Sequence, residues 1–380
     1  MQNRCMDNYN TTFNSYPAML GYHRELTRES KWVQCPVNEL GVEPLDRGSE
    51  ASFRPDWFAE GTSAVAVEDT VQNLGLSMRI NGELYPLRST AWKGLLDRAK
   101  VNGTALPKLP RNELAGVLNS CLHLFGTDAL LLIRDEKISA VHSGDETDYS
   151  VLPIDELLES LQENLDKRFP GNRFERGYSD HALTGASWQL PDQKEDLLGT
   201  YAKVLKAHGK ESQADKLIPG VQFVTSDTGV ASAKVSALLM GGDNPIHIGS
   251  CVAVDHRHQK TVSDFDAKLD QLFAQFGDNI QKLQKLLEIP LRYPVNAMTR
   301  ICKQLVLPKK AADEAIAGFE LIYGEGCATA HDVFMALQEI PFLLKVNGVP
   351  ETKRLTVEEN IAKVLNFRWS DYDLARSVDY

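Results

Sequence analysis

A group of cations between positions 281 and 310 carries the strongest chemical signal in the sequence. Seven lysine and arginine residues stand there with a single glutamate, which gives this segment a net charge of +6. Because the whole chain carries −11, the remaining residues carry −17. Such segregation indicates an anion-binding surface on an acidic protein. Together with one tyrosine, these cations form the set that we call the basic strip: Lys282, Lys285, Arg292, Tyr293, Arg300, Lys303, Lys309 and Lys310.

The composition of the basic strip is compatible with a nucleic acid as its partner. Arg300 and Lys303 are three residues apart, so a helix would place both on one face. Lysine and arginine neutralise phosphates, and a tyrosine among them, Tyr293, would stack on an unpaired base. The alternative is a solvated helix surface, with cations that the helix dipole favours near C-terminal ends. We carry the first interpretation forward as the functional hypothesis, with single-stranded nucleic acid as the partner.

A second group of residues has the types that bind metals. Asp255, His256, Arg257 and His258 are consecutive, and His247 lies upstream. On a strand His256 and His258 would share a face, where two imidazoles can chelate a transition metal. No carboxylate cluster nearby supplies further ligands, so the alternative is a strand that ends in a polar turn. We predict the turn, and therefore neither a metal nor another cofactor.

The familiar catalytic motifs are absent from the sequence. Gly209–Lys210 is followed by Glu211 and has no glycine five residues upstream, so no phosphate-binding loop is present. The dinucleotide motif G-x-G-x-x-G, the zinc motif H-E-x-x-H and the hydrolase motif G-x-S-x-G do not occur either. None of the six cysteines forms a C-x-x-C pair. We therefore predict that the chain is not an enzyme.

The overall composition indicates a globular protein without a membrane segment. Hydrophobic residues make up 43% of the chain and charged residues 24%, which is ordinary for a globular protein. No apolar run approaches the roughly 20 residues that a bilayer requires. The first residues also lack the apolar core of a signal peptide. These patterns predict a cytoplasmic location and no membrane partner.

The elements that position the candidate residues differ along the chain. Residues 1–61 contain many prolines and glycines, which predicts an extended N-terminal arm. Residues 62–290 are predicted to form a mixed α+β core. Within it, three strand signals are separated by the turns TSDTG and GGDNP, a pattern typical of an antiparallel meander. These three strands are predicted at Val221–Thr225, Ala231–Met240 and Ile246–Val254.

A long helix is predicted directly after the meander. Ser263 would cap it, with Asp266 in the third position of a capping box, and the helix would run to Leu287. Its apolar residues recur at helical spacing, so we expect it to pack on a face of the sheet. Residues 291–380 read as a helical C-terminal region. The predicted fold class is thus α+β, an antiparallel meander packed on a long helix with a helical C-terminal third.

Several segments together resemble the phage/plasmid-like family of uncharacterised proteins, a domain of unknown function carried by phages, plasmids and integrated elements. They include ALLLIRDEKISAVHSGDETDYSVLPIDELLESL, AWKGLLDRAKVNGTALPKLP and GVQFVTSDTGVASAKVSALLM. TAHDVFMALQEI and LTVEENIAKVLNFRW are similar to the C-terminal helices of that family. The resemblance spans Ser89 to Trp369. It implies a mobile-element setting but no catalytic residues.

These observations lead to one functional prediction and two alternatives. We predict a nucleic-acid-binding accessory protein of phage or plasmid DNA metabolism, of the single-strand annealing kind and without ATPase activity. Ring-forming annealing proteins use a curved antiparallel meander backed by a long helix, and this analogy implies a homo-oligomer. One alternative is a mobile-element interaction protein that blocks a host complex through its acidic surface. The other is a metal-dependent enzyme at His256 and His258.

Overall fold

A computed structural model describes residues 3–46, 57–144, 148–241, 245–324, 326–378 and 380 of the chain. Helices account for 49% of it and antiparallel sheets for 22%. Since both element types are abundant and the C-terminal region is helical, the predicted α+β class is confirmed.

The strands pair antiparallel in four sheets. In chain order they are β1 (Asn10–Phe13), β2 (Lys31–Pro36), β3 (Gly41–Pro44), β4 (Leu76–Ile80), β5 (Glu83–Pro86), β6 (Asp128–Arg134), β7 (Lys137–Ser143), β8 (Arg173–Asp180), β9 (Thr184–Gln189), β10 (Ile218–Thr225), β11 (Ala233–Met240), β12 (Ile246–His247), β13 (Val252–Val254), β14 (Pro290–Leu291) and β15 (Ala328–Thr329). The large sheet has the order β1-β8-β9-β10-β11-β12, and β13 also pairs with β11. The smaller sheets are β2-β6-β7, β3-β4-β5 and β14-β15.

The helices cover these sheets and form most of the region after residue 291. They are α1 (Tyr16–Glu29), α2 (Ala64–Gln72), α3 (Trp92–Ala99), α4 (Arg111–Leu122), α5 (Ile154–Arg168), α6 (Lys194–Ala207), α7 (Glu211–Lys216), α8 (Val262–Leu286), α9 (Pro294–Gln304), α10 (Lys309–Tyr323), α11 (Ala330–Leu337), α12 (Glu339–Val346) and α13 (Glu351–Ala362). One apolar core joins the large sheet to α5, α6, α8 and the C-terminal helices. A second core lies between the two three-stranded sheets, α3 and α4.

The predicted meander and its long helix are both present, but the third predicted strand, Ile246–Val254, is interrupted and forms β12 and β13. Strands β10 to β13 are neighbours in the large sheet, and α8 packs on β11 and β13. Phe223 of β10 meets Phe265 of α8 with ring centroids 5.9 Å apart in an edge-on arrangement. The apolar face of α8 is buried at helical spacing, and each large side chain there contributes about 1.5–3 kcal/mol. The buried apolar residues of that face are Phe265, Leu269, Leu272, Phe276, Ile280, Leu283 and Leu286.

The start of α8 differs from the prediction. Thr261 is the cap, and the carboxylate of Asp264 accepts a hydrogen bond from the Thr261 backbone amide at 2.9 Å. Ser263 lies inside the helix. Asp266, predicted to complete the capping box, instead accepts hydrogen bonds from Ser160 and Asn164 and joins α8 to α5. Both threonine and serine cap helices, so only the tertiary contacts decide between the two positions.

The prediction of an extended N-terminal arm over residues 1–61 is wrong. Residues 16–29 form α1, whose buried side chains Met19, Leu20, His23 and Leu26 follow helical spacing. Strand β1 pairs with β8, β2 with β6 and β3 with β4, so the segment is part of three sheets. Pro17 was counted as a breaker, but it occupies the first turn of α1, where a missing amide proton costs nothing. Residues 1, 2 and 47–56 of this region lie outside the described residues.

Candidate functional site

The basic strip follows the end of α8, the turn before α9, α9 itself and the start of α10. Lys282 and Lys285 lie in the last turns of α8, and Lys309 and Lys310 are the first residues of α10. Between them α9 has 11 residues, which makes it about 16 Å long. The short pairing of β14 with β15 fixes the turn that contains Arg292 and Tyr293.

Five cations of the strip are exposed and have no carboxylate partner. Within the part of the chain that the structure describes, no ion pair involves Lys282, Lys285, Arg292, Lys309 or Lys310. The ammonium of Lys282 donates to the amide oxygen of Asn366 at 2.8 Å, a neutral partner. These cations are therefore available to an external anion.

Two of these cations do not fit the helix-dipole alternative. A helix dipole favours cations near the C-terminal end and disfavours them near the N-terminal end. Lys309 and Lys310 stand at the N-terminal end of α10, directly after the capping residue Pro308. Local helix electrostatics therefore accounts for Lys285 in the last turn of α8 but not for this pair.

Residues 371–378 cover another part of the strip. The carboxylate of Asp373 accepts hydrogen bonds from the backbone amides of Arg292 at 2.9 Å and Tyr293 at 2.6 Å. The guanidinium of Arg300 donates to the carbonyl oxygen of Arg376 at 2.6 Å. The strip is thus narrower than the sequence suggested, because an acidic side chain lies at its centre and Arg300 is held by the backbone. Lys303 remains exposed at the surface.

Tyr293 has the exposure that base stacking requires. It precedes α9, and 41% of its surface is accessible. Its backbone amide is fixed by Asp373, so the position of the residue is defined although the ring is open to solvent.

His256 and His258 do not form the shared face that a strand would give them. Strand β13 ends at Val254, and His258 adopts a positive φ of 59° in the turn that follows. His256 is buried, with Nδ1 3.2 Å from the carbonyl oxygen of Ser150 and Nε2 3.4 Å from the hydroxyl of Thr225. In the described ranges, no group of three histidine, cysteine, aspartate or glutamate residues is arranged to hold a metal ion.

A column of three aromatic rings was missed by the sequence analysis. His142 and Tyr149 stack with centroids 3.5 Å apart, and Tyr149 stacks on His256 at 5.4 Å. The carbonyl oxygen of Asp227 accepts hydrogen bonds from His142 Nε2 at 2.8 Å and from the Tyr149 hydroxyl at 3.1 Å. These residues are far apart in the chain, and Asp227 looked like an ordinary turn residue. No local pattern could therefore have revealed the column.

The ring column borders a polar cavity of about 430 Å³. Burial lowers the pKa of His142 to about 4, so the ring is neutral near pH 7 and its Nδ1 is an acceptor. The described residues that line the cavity include as many cations as carboxylates. The cations are Lys93, Arg98 and Arg257, and the carboxylates are Asp97, Asp148 and Asp255. A balanced lining gives this cavity no preference for a polyanion.

Comparisons with known proteins identify no relative: no family model, no curated protein and no solved structure matches the chain. The resemblance to the phage/plasmid-like family therefore stays a prediction from the sequence segments. Among the described residues, no helix has both the length and the apolar character that crossing a bilayer requires.

Proposed function

We propose that this chain binds single-stranded nucleic acid through the exposed cations of the basic strip. The observation that carries the proposal is the set of five exposed cations without a carboxylate partner among the described residues, on a chain whose net charge is −11. These five cations lie close together in the chain, and like charges that approach one another repel and do not stabilise the fold. An external polyanion accounts for their arrangement, because phosphates would neutralise them.

The proposal specifies a single strand because of Tyr293. Its exposed ring stands beside Arg292 and would stack on an unpaired base, whereas bases in a duplex have no free face. Contacts to phosphates and a stacked ring carry little sequence information, so binding is expected to tolerate many sequences.

Annealing of complementary strands is the activity that we propose for this binding. The meander of β10 to β13 backed by α8 has the outline of ring-forming annealing proteins, an argument by analogy of fold. Neutralising the phosphates of two strands lowers the repulsion that opposes their pairing, and this step requires no ATP. A mobile-element setting, with a homo-oligomer as the working form, belongs to the same proposal.

The test is binding of a labelled oligonucleotide, measured by fluorescence anisotropy, to two variants of equal net charge. The strip variant exchanges four lysines for glutamate: Lys282→Glu, Lys285→Glu, Lys309→Glu and Lys310→Glu. The matched control makes the same exchange at four exposed lysines elsewhere: Lys31→Glu, Lys108→Glu, Lys216→Glu and Lys353→Glu. Each exchange removes two charge units, so both variants are equally acidic.

We expect the strip variant to lose binding and the control to retain most of it. Equal losses in the two variants would show that overall repulsion, not the strip, determines affinity. Binding that survives in the strip variant would place the interface elsewhere. For annealing, the wild type should accelerate the pairing of two complementary labelled strands without ATP, and the strip variant should not.

A further inference from the structure

The large sheet has a second face, opposite α8, which we call the outer face. The strand register aligns Tyr178 of β8 with Gly185 of β9, and Gly185 with Val224 of β10. Because side chains alternate along a strand, Val224 points away from the core that its neighbour Phe223 enters. Helix α13 covers part of this face, where its Leu355 packs in an apolar cluster with Val224.

Beside α13 the outer face forms a groove of about 480 Å³. This volume lies in the range of sites that bind small molecules. Seven of the described lining residues have apolar side chains larger than alanine, and they are Phe13, Leu183, Val224, Leu238, Met240, Pro245 and Leu355.

Gly185 lies on the floor of the groove, and the backbone conformation at this position does not require a glycine. A Cβ added there would meet no atom nearer than 3.6 Å, and the residue does not adopt a positive φ. The strand would therefore accept a larger side chain, which would fill the groove. The glycine keeps the groove deep.

The charges around the groove are mainly positive. Arg176, Lys345 and Arg354 line it, and Glu351 is the one carboxylate among the described lining residues. Glu351 pairs with Arg354, whose Nε is nevertheless buried without a hydrogen-bond partner among the described residues. No ion pair between described residues involves Arg176 or Lys345. Glu358, whose side chain is largely buried, interacts electrostatically with Arg354 and Arg176, so the excess of positive charge is small. Three cations against one carboxylate in the lining itself still suit an anion.

We propose that the groove binds a small amphipathic anion, a molecule with an apolar or aromatic body and one carboxylate, sulfonate or phosphate group. The body lies on the floor formed by Gly185 and Val224, and the anionic group reaches the guanidinium groups of Arg176 and Arg354. Guanidinium groups bind such oxygen anions by charge-assisted hydrogen bonds. No residue of the basic strip lines the groove, so this site goes beyond the nucleic-acid interface and is independent of it.

Two dyes that share one body test the proposal on the full chain. The first is 8-anilino-1-naphthalenesulfonate, and the second is N-phenyl-1-naphthylamine, which lacks the sulfonate. Dye fluorescence is titrated with the wild type, Gly185→Val, Arg176→Gln and Arg173→Gln. Arg173 is exposed, belongs to the same strand and does not line the groove, so its variant controls for the loss of one charge.

We expect the sulfonate to bind at one saturable site, at least tenfold tighter than the uncharged dye. Gly185→Val should remove this binding, because its side chain occupies the floor, and valine is a good strand residue. Arg176→Gln should weaken binding roughly tenfold, while Arg173→Gln should not.

Three results would each overturn the proposal. They are sulfonate fluorescence that does not saturate, equal affinity for the two dyes, and equal affinity of the Arg176→Gln and Arg173→Gln variants. Full binding by a folded Gly185→Val variant would also contradict it. If Gly185→Val fails to fold, the pair of arginine variants still decides the question.

Discussion

Two groups of cations in this molecule have opposite surroundings. Arg88 and Lys137 are completely buried, and the Lys137 ammonium lies 3.1 Å from a carboxylate oxygen of Asp7 and 2.5 Å from one of Asp69. Apart from the half-buried Arg300, the cations of the basic strip are exposed, and five of them have no carboxylate partner among the described residues. The same residue types are thus used in two ways.

The buried group shows what cations do when they serve the fold. Buried charges persist only when paired and hydrogen-bonded. Asp7 also accepts a hydrogen bond from the backbone amide of Ser89 at 2.8 Å, so it joins the N-terminal segment to the core. Burial alone would raise the pKa of Asp7, but Lys137, Ser89 and Arg88 outweigh it and hold that pKa below its usual value.

The strip contributes little to folding by comparison. Exposed charges are worth about 0–1 kcal/mol even when they are paired. Lys309 and Lys310 are exposed and have no ion pair among the described residues, so replacing them should leave the fold intact and allow binding to be tested separately from stability.

The largest expected effect is on the buried group. Lys137→Met removes the ion-pair partner of the buried Asp69 carboxylate and leaves Asp7 with Arg88 alone at 3.7 Å, so the free energy of unfolding should fall by about 3–5 kcal/mol. Urea denaturation followed by circular dichroism measures this value. Lys309→Met on the strip is the matched control and should change it by less than about 0.5 kcal/mol. Similar losses of unfolding free energy in the two variants would show that the buried cations and the strip cations do not differ in their contribution to the fold.

The next effect concerns binding at the strip. Tyr293→Ala should weaken single-strand binding by about 1–3 kcal/mol if the exposed ring stacks on a base. The free energy of unfolding should stay nearly constant, because the contact that holds this residue is made by its backbone amide. Fluorescence anisotropy with the same oligonucleotide measures the change, and Tyr293→Phe should bind like the wild type. An unchanged affinity in Tyr293→Ala would limit the interface to phosphate contacts.

A smaller effect comes from the histidine beside the buried group. Burial, with a contribution from Arg88, lowers the pKa of His181 to about 3, and Nε2 lies 2.9 Å from the carbonyl oxygen of Met6. The unfolded chain binds a proton at this residue below about pH 6.5, whereas the folded chain does not. The neutral His181 ring therefore makes its full contribution to the free energy of unfolding above pH 6.5. This contribution decreases as the pH falls towards 3.

His181→Gln should reduce this pH dependence. Between pH 5.5 and 4.5 the free energy of unfolding should fall less steeply in the variant than in the wild type. The two slopes should differ by about 1.4 kcal/mol per pH unit. Denaturation series at several pH values give the two slopes. Parallel slopes would mean that His181 is protonated in the folded protein.

Local patterns were sufficient for part of this architecture. The meander and α8 were predicted because apolar residues recur at strand and helix periods over long segments. The strip was found because its cations are close together in the sequence. Both signals need only neighbouring residues.

Contacts between distant segments explain what the sequence did not reveal. Asp7, Asp69 and Lys137 are up to 130 positions apart, and the ring column also joins separate segments. Arg300 is held by the backbone carbonyl group of Arg376, a contact that leaves no pattern of residue types. α1 was missed because its proline and glycine looked like breakers, although its apolar residues had helical spacing.

The salt dependence of single-strand binding tests the central claim most directly. If Lys282, Lys285, Arg292, Lys309 and Lys310 each neutralise one phosphate, log Kd should rise against log salt concentration with a slope of about 3.5, that is, about 0.7 for each phosphate. The Lys282→Glu, Lys285→Glu, Lys309→Glu and Lys310→Glu variant should show no measurable binding at the lowest salt concentration. A wild-type slope near zero, or no binding by the wild type at low salt, would contradict the account.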